Sequence, residues 1–284
     1  MMKCVVIYNP NSGKLTNRND IKKLYKIFEN YGYEVEIIYT EYKGHAKEIT
    51  KKLKDVDLLI CAGGDGTLNE VVNGIYDTNC GLHIVPFGSG NDYNRIIKSI
   101  YEDKVDIGDV NGHKFINIAS IGIDADIVDE VNKDTNNFLK YQRNIIKQLI
   151  SYKKKEISID EKQKLINILA ICKGKYYGNG IPINPNYNLN NHLFNVIEAS
   201  NLSNLEMLKC FLQIFQEKHL DYPKVNTAFV TNLQINSNLP ILCNVDGEVF
   251  QDTSFNFKLI PNGITVTNNI PAKIKRMIYD HSNI

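Results

Sequence analysis

The sequence has no C-x-x-C pair, no H-E-x-x-H motif, no excess of either charge and no long apolar run. Each absence closes off a class of protein. The six cysteines (Cys4, Cys61, Cys80, Cys172, Cys210, Cys243) are scattered, and three of them lie inside apolar runs where a thiol acts as a small hydrophobe. A disulfide framework is therefore not expected, and a reduced, cytoplasmic setting is. The six histidines give no ligand spacing, so a zinc site has no support. Lys plus Arg number 33 against 32 Asp plus Glu, a net charge of +1, which removes the electrostatic footprint of a nucleic-acid binder. No apolar run approaches the roughly 18–20 residues of a spanning helix. The opening MMKCVVIYNP is too short for a signal h-region. Any work on a membrane is expected from its surface.

What is present is ordinary in bulk: 284 residues, 43% hydrophobic and 23% charged, enough for two domains. The first third alternates strand and helix patterns. Lys3–Tyr8, Tyr33–Thr40, Asp57–Ala62 and His83–Phe87 read as strands. Helical spacing runs from Ile21 to Tyr31, over Ala46–Leu53, over Thr67–Ile75 and from about Asn91. Such alternation predicts a parallel sheet covered by helices on both faces, with ligands beyond the carboxyl ends of its strands. After about Asp109 strand patterns dominate: Phe115–Ile121, Glu156–Asp160, Leu165–Cys172, Leu193–Ala199, Phe229–Asn236, Pro240–Val245 and Phe255–Pro261. Helices are expected only at Lys140–Lys153, Leu205–Lys218 and the tail Pro271–Tyr279. The expected organisation is an α/β/α domain over 1–109, completed by 270–284, and an antiparallel β-sandwich over 110–269.

Three polar, Gly-containing segments follow strands. The strongest is Gly63-Gly64-Asp65-Gly66-Thr67-Leu68-Asn69-Glu70, between a buried strand and an amphipathic helix. Bare glycine backbone and a helix start suit a phosphate, although a tight turn capped by Asp65 or Thr67 gives the same pattern. Asp65 beside an anion implies a cation between them, such as Mg²⁺. The spacing fits neither a Walker A nor a Rossmann fingerprint. Asn9-Pro10-Asn11-Ser12-Gly13-Lys14 and Gly88-Ser89-Gly90-Asn91-Asp92 are the other two. Three such loops at one sheet edge exceed what turn chemistry needs. Late in the chain, Asn244-Val245-Asp246-Gly247-Glu248 reads as an Asp-Gly hairpin, as a carboxylate pair, or as both.

In this order, NPNSGK, GGDGTLNEVVNG, GSGND, KVDIG and NVDGE resemble the catalytic superfamily of diacylglycerol and sphingosine kinases, most closely its soluble bacterial lipid kinases. The likeness runs from Asn9 to Glu248. It implies an ATP-binding first domain, a sandwich that receives the lipid, and an active site between them. Asn9 to Lys14, Thr40, Gly63 to Glu70, Ser89, Asn91 and Arg95 match ATP-binding positions, with Lys14 and Arg95 as phosphate cations. Asp65, Asp92 and Asp106 match an acidic network that holds Mg²⁺ directly or through water. Asp246 and Glu248 match the pair that supplies the general base, with the roles unassigned between them. Asp124 and Asp126 fall where relatives line the lipid head-group site, and equally suit a solvated helix start.

One departure stands out. Relatives hold a structural Mg²⁺ in a carboxylate-containing loop, whereas Asn188–Leu193 here has no carboxylate, which leaves that accessory site in question. Expected partners are a lipid acceptor at a membrane surface and no nucleic acid, with a homodimer admissible and a peripheral position on the inner face of the membrane. Lys153–Lys155 and the tail lysines suit an anionic surface or a solvated helix face. The competing readings are a kinase of a soluble substrate such as NAD, which shares the GGDG loop, and a nucleotide-binding regulator without catalysis.

Overall fold

The computed structural model describes residues 2–12, 25–76, 78–88, 90–133, 149 and 151–270. The expected helix Lys140–Lys153 falls largely, and the tail from Pro271 wholly, outside these residues, as do Gly13, Lys14 and Ser89. The chain divides into two compact units. The first runs to Asp106 and resumes at Pro261; the second spans Ile107–Ile260.

The first unit is built on parallel strands β1 (Met2–Tyr8), β2 (Tyr33–Tyr39), β3 (Leu58–Gly63) and β4 (Gly81–Pro86). β1 pairs with β2 on one side and β3 on the other, and β4 lies beyond β3. Every residue from Cys4 to Tyr8 is buried, so both faces of this strand are covered, as a parallel sheet requires. Cys4, Val6 and Tyr8 share one face with Phe28, from the helical residues 25–30. The helices His45–Lys52 and Asp65–Ile75 pack against each other, and the second leans on β3. The last part of β13 (Glu248–Thr267) returns to extend the sheet in parallel beside β4, pairing Thr265 with Gly81 and Val266 with Leu82. His83, fully buried, donates from Nδ1 to the Thr267 carbonyl at 2.9 Å.

The second unit is antiparallel. β10 (Phe194–Ser200) pairs with β11 (Val225–Val230) and with β9 (Lys162–Cys172), which pairs with β7 (Ile118–Gly122). β7 pairs in turn with β12 (Asn232–Val245), the partner of β13. β8 (Lys155–Ile159) pairs with β9 and β12. One apolar cluster, including Phe115, Phe194, Phe255 and Phe257, fills one side. A second gathers Ile118, Ile183, Ile197, Met207 and Ile214 beneath the helix Asn204–Ile214.

Several element boundaries differ from expectation, each for a local reason. The expected strand Phe115–Ile121 is two strands, β6 (His113–Phe115) and β7, because the backbone N–H groups of Ile116 and Asn117 turn to the Asp246 carboxylate. KVDIG lies within a further strand, β5 (Glu102–Val110), whose first residues are charged and exposed and carry no apolar signal. Phe229–Asn236 spans the break between β11 and β12, and β12 then runs on through Pro240 to Val245, with its register with β13 shifting between Asn236 and Ile241. The helix expected at Leu205–Lys218 ends at Ile214. The helix expected from Thr67 begins at Asp65, so Asp65 and Gly66 belong to its first turn.

Candidate active site

In an open parallel sheet, ligands collect beyond the carboxyl ends of the strands, where the strand order reverses. That point lies between β1, whose next strand is to one side, and β3 on the other. The loops leaving these two strands meet there. The Asn9 N–H donates to the Ala62 carbonyl at 3.0 Å, and Asn9 Nδ2 donates to Thr67 Oγ1 at 2.9 Å. Asn9 also accepts from the Asn11 N–H and, through its carbonyl, from Ser12 Oγ, both at 2.9 Å, which folds Pro10–Ser12 into a tight turn. Thr40, at the end of β2, donates its N–H to the Tyr8 carbonyl beside this turn.

The loop after β4 closes on the same edge by backbone contact. A Cβ on Gly88 would lie 2.5 Å from the Gly64 Cα, so only glycine lets the two loops approach this closely. Asn91, in the left-handed region at φ 52°, accepts from the Gly88 N–H at 3.0 Å and donates back to the Gly88 carbonyl. Gly64 caps the helix Asp65–Ile75 with no side-chain hydrogen bond, so backbone N–H groups of the first turn stand without a side-chain cap. Gly66 is exposed there, and a Cβ added to it would meet nothing within 4 Å. The protein's own packing does not require that glycine. The helix start is left bare, the kind of backbone that suits an anion.

The rest of the segment is tied into the unit. Thr67, Leu68 and Asn69 are buried. Glu70 reaches the neighbouring helix and accepts from the N–H groups of Gly44 at 2.7 Å and Ala46 at 3.0 Å, a carboxylate at the positive end of the dipole. Asp65 does the same for the helix Asp92–Ile97: the backbone N–H groups of Asp92, Asn91 and Tyr93 bond it, in that order of weight. Burial nevertheless raises its pKa above the ordinary carboxylate value, and these donors and the nearby Arg95 only offset that. The aspartate read from the sequence as a partner for Mg²⁺ thus also faces a second helix start.

Asp92 is buried, with Arg95 Nε 3.8 Å away. Asp106 is fully buried and accepts from the Asn262 N–H at 3.0 Å. Among the described residues no three His, Cys, Asp or Glu side chains stand together as a metal site. Asp65, Asp92 and Asp106 therefore do not gather into a three-carboxylate site.

In the second unit, Asp246 (φ 49°) and Gly247 (φ 95°) turn β12 into β13, with Val245 opposite Glu248. Two consecutive positive φ values make this the tight hairpin that Asp-Gly favours. The Asp246 carboxylate is also fully engaged: it accepts from the N–H groups of Ile116 at 2.8 Å, Ile118 at 2.9 Å and Asn117 at 3.2 Å. Glu248 is half-buried at the start of β13. Asn244 ties the turn to the interior, accepting from the Gly247 N–H at 2.8 Å and donating to Asp124 Oδ2 at 2.8 Å. Ser120 Oγ donates to the same oxygen. Burial raises the Asp124 pKa despite these two bonds. Asp126 pairs with Lys155 Nζ at 2.7 Å. Both aspartates are thus held within the unit.

Sequence reasoning missed Asn244 as a brace and missed Lys173 altogether. Lys173 is fully buried, and its ammonium donates to Asn191 Oδ1 at 3.0 Å and the Leu193 carbonyl at 2.9 Å. The carboxylate-free loop therefore holds a cation after all, a tethered one. The only signal in the sequence is a lysine directly after the apolar run Leu165–Cys172.

A parallel unit with three loops at its switch point, followed by an antiparallel unit, is the two-part fold of a lipid kinase. Residues 3–111 match the family model of the diacylglycerol kinase catalytic domain, and residues 117–268 match that of the YegS C-terminal NAD kinase beta sandwich-like domain. A diacylglycerol kinase of Bacillus subtilis (strain 168) is 28% identical over 273 residues, 87% of this chain and 90% of the relative. One of Staphylococcus epidermidis (strain ATCC 35984) is 30% identical over 273 residues, 86% and 84% of the two chains. The crystal structure of a diacylglycerol kinase from Bacillus anthracis str. Sterne has the same fold, with a TM-score of 0.75 at 21% identity, covering 95% of this chain and 98% of the other. The chain belongs to the bacterial, YegS-like diacylglycerol kinase family.

Proposed function

We propose that this lipid kinase transfers the γ-phosphoryl group of ATP to the hydroxyl of a membrane lipid, with diacylglycerol, giving phosphatidic acid, as the first acceptor to test. The observation that carries the reading is the bare, uncapped helix start at Gly64–Gly66, set at the strand-order reversal and flanked by the Asn9 and Gly88 loops. Those N–H groups bind phosphate oxygens, and Arg95 adds positive charge. Relatives named diacylglycerol kinase supply the acceptor class.

A lipid hydroxyl needs its proton removed as the new O–P bond forms and the bond to the ADP oxygen breaks. Asp246 has both oxygens engaged by three N–H groups, so it orients the hairpin, and Glu248 takes the proton. Mg²⁺ would arrive with the nucleotide and neutralise phosphate charge. Among the described residues no three His, Cys, Asp or Glu side chains gather as a metal site, so the nucleotide's phosphates would supply part of its ligand shell. Phosphate transfer from labelled ATP to diacylglycerol, sphingosine, ceramide, undecaprenol and NAD tests the reading. Labelled phosphatidic acid is expected; a labelled NAD product with unlabelled lipids would replace it with the soluble-substrate kinase.

A further inference from the structure

The helix Asn204–Ile214 is apolar on two sides. Its inner face, Met207, Cys210 and Ile214, is buried in the second unit's core. The residues seven apart and three further on, Leu205, Leu212 and Phe215, return to one outer face and are 74%, 58% and 58% exposed. A surface helix needs only one apolar stripe to fold, and its other face is normally polar. Phe215 is held outward, edge-on to Phe211 with ring centroids 5.4 Å apart.

The one acidic side chain of the helix is neutralised within the protein, Glu206 by Lys224 at 2.9 Å. Beyond the helix Glu217 pairs with Lys175 at 2.8 Å, and Asp221 is exposed farther on. Lys209, one turn from Leu205 and Leu212, and Lys218 remain exposed. An apolar strip with exposed lysines and internally paired acids complements an anionic lipid surface. Among the described residues no helix is long and apolar enough to cross a membrane, so a bilayer would be met by a face of this kind.

We infer that Leu205, Leu212 and Phe215 seat the enzyme on the bilayer that carries its acceptor, with Lys209 drawing it to anionic head groups. This rests on the lipid-kinase reading for its purpose, but not for its measurement. The test is co-sedimentation with vesicles of phosphatidylglycerol and phosphatidylcholine, compared with phosphatidylcholine alone. Leu205→Gln, Leu212→Gln and Phe215→Gln combined should weaken partitioning at least about tenfold, given the cost of withdrawing such side chains from lipid. Lys209→Gln alone should weaken it about fivefold on anionic vesicles and not on neutral ones. Phosphorylation of a dispersed short-chain acceptor should be unchanged in the triple variant, while that of vesicle-borne acceptor falls. Wild-type partitioning retained by the triple variant would overturn the inference. So would a native dimer, seen by light scattering without lipid, that the three substitutions split. Should no lipid be phosphorylated at all, the vesicle comparison still reads this inference separately from the proposed reaction.

Discussion

The two units use acidic side chains in the same way and leave opposite things open. At the sheet edge of the first unit, Asp65 and Glu70 face helix starts, and what they brace is bare backbone around Gly64, Gly66 and Gly88. At the hairpin of the second unit, Asp246 and Asp124 are held by backbone and amide donors, and what they brace is a short turn that presents Glu248. One arrangement leaves backbone open, the other a carboxylate side chain. In both units these carboxylates also brace the backbone around them.

The sharpest way to break this contrast is at the hairpin. Glu248→Gln should lower kcat by about 10²–10⁴-fold with little change in ATP affinity, as loss of a general base does. Asp246→Asn places an amide donor against backbone N–H groups. It should lower unfolding free energy by about 1–3 kcal/mol, with activity falling alongside. A stable Asp246→Asn protein that has lost turnover, beside an active Glu248→Gln, would exchange the two roles.

Lys173→Met should cost a similar amount of stability, about 1–3 kcal/mol, because Asn191 Oδ1 and the Leu193 carbonyl lose a buried donor. Thermal melts of the unmodified protein should not respond to Mg²⁺ at this loop, since the ammonium already fills it. A Mg²⁺-dependent rise in Tm that vanishes in Asn191→Ala would show that the lysine does not stand in for the ion.

Gly66→Ala separates binding from folding in the first unit. Alanine adds no clash and improves a helical position by up to about 1 kcal/mol, yet it crowds the bare helix start. Higher Tm with a raised KM for ATP is expected; unchanged KM would remove the phosphates from this turn.

The smallest effect concerns pH. Burial raises the Asp124 pKa in the folded state, so this group's contribution is fully present below its unfolded value near 3.8 and is lost as pH rises through the folded value. Asp124→Asn should flatten that part of the stability-against-pH curve, and chemical denaturation from pH 4 to 8 reads it directly. A curve of unchanged slope would mean that the carboxylate is not desolvated.

The first unit was legible because parallel strands buried on both faces read as continuous apolar runs, as at Val5–Ile7 and Leu59–Ala62, each followed by a polar turn. The second unit was less so. β5 starts on exposed charges, β12 carries Asn and Pro through a register shift, and side-chain carboxylates replace ladder partners at Ile116–Asn117. The motifs picked out loops that the fold brings to one sheet edge, yet not the hydrogen bonds each residue makes there. Whether Asp65 bonds a metal or the neighbouring helix depends on backbone 26 positions or more away, which no local pattern encodes.

The return of β13 beside β4 also sets an order of events during synthesis. His83 finds its partner, the Thr267 carbonyl, 184 positions later in the chain. When the three loops at the sheet edge leave the ribosome, the sheet beneath them still lacks its last strand, and the whole second unit must be made before that strand exists. Such distant closure is slow and leaves an unpaired edge in the meantime. The nascent first unit therefore waits, open at β4, for the last part of its own chain.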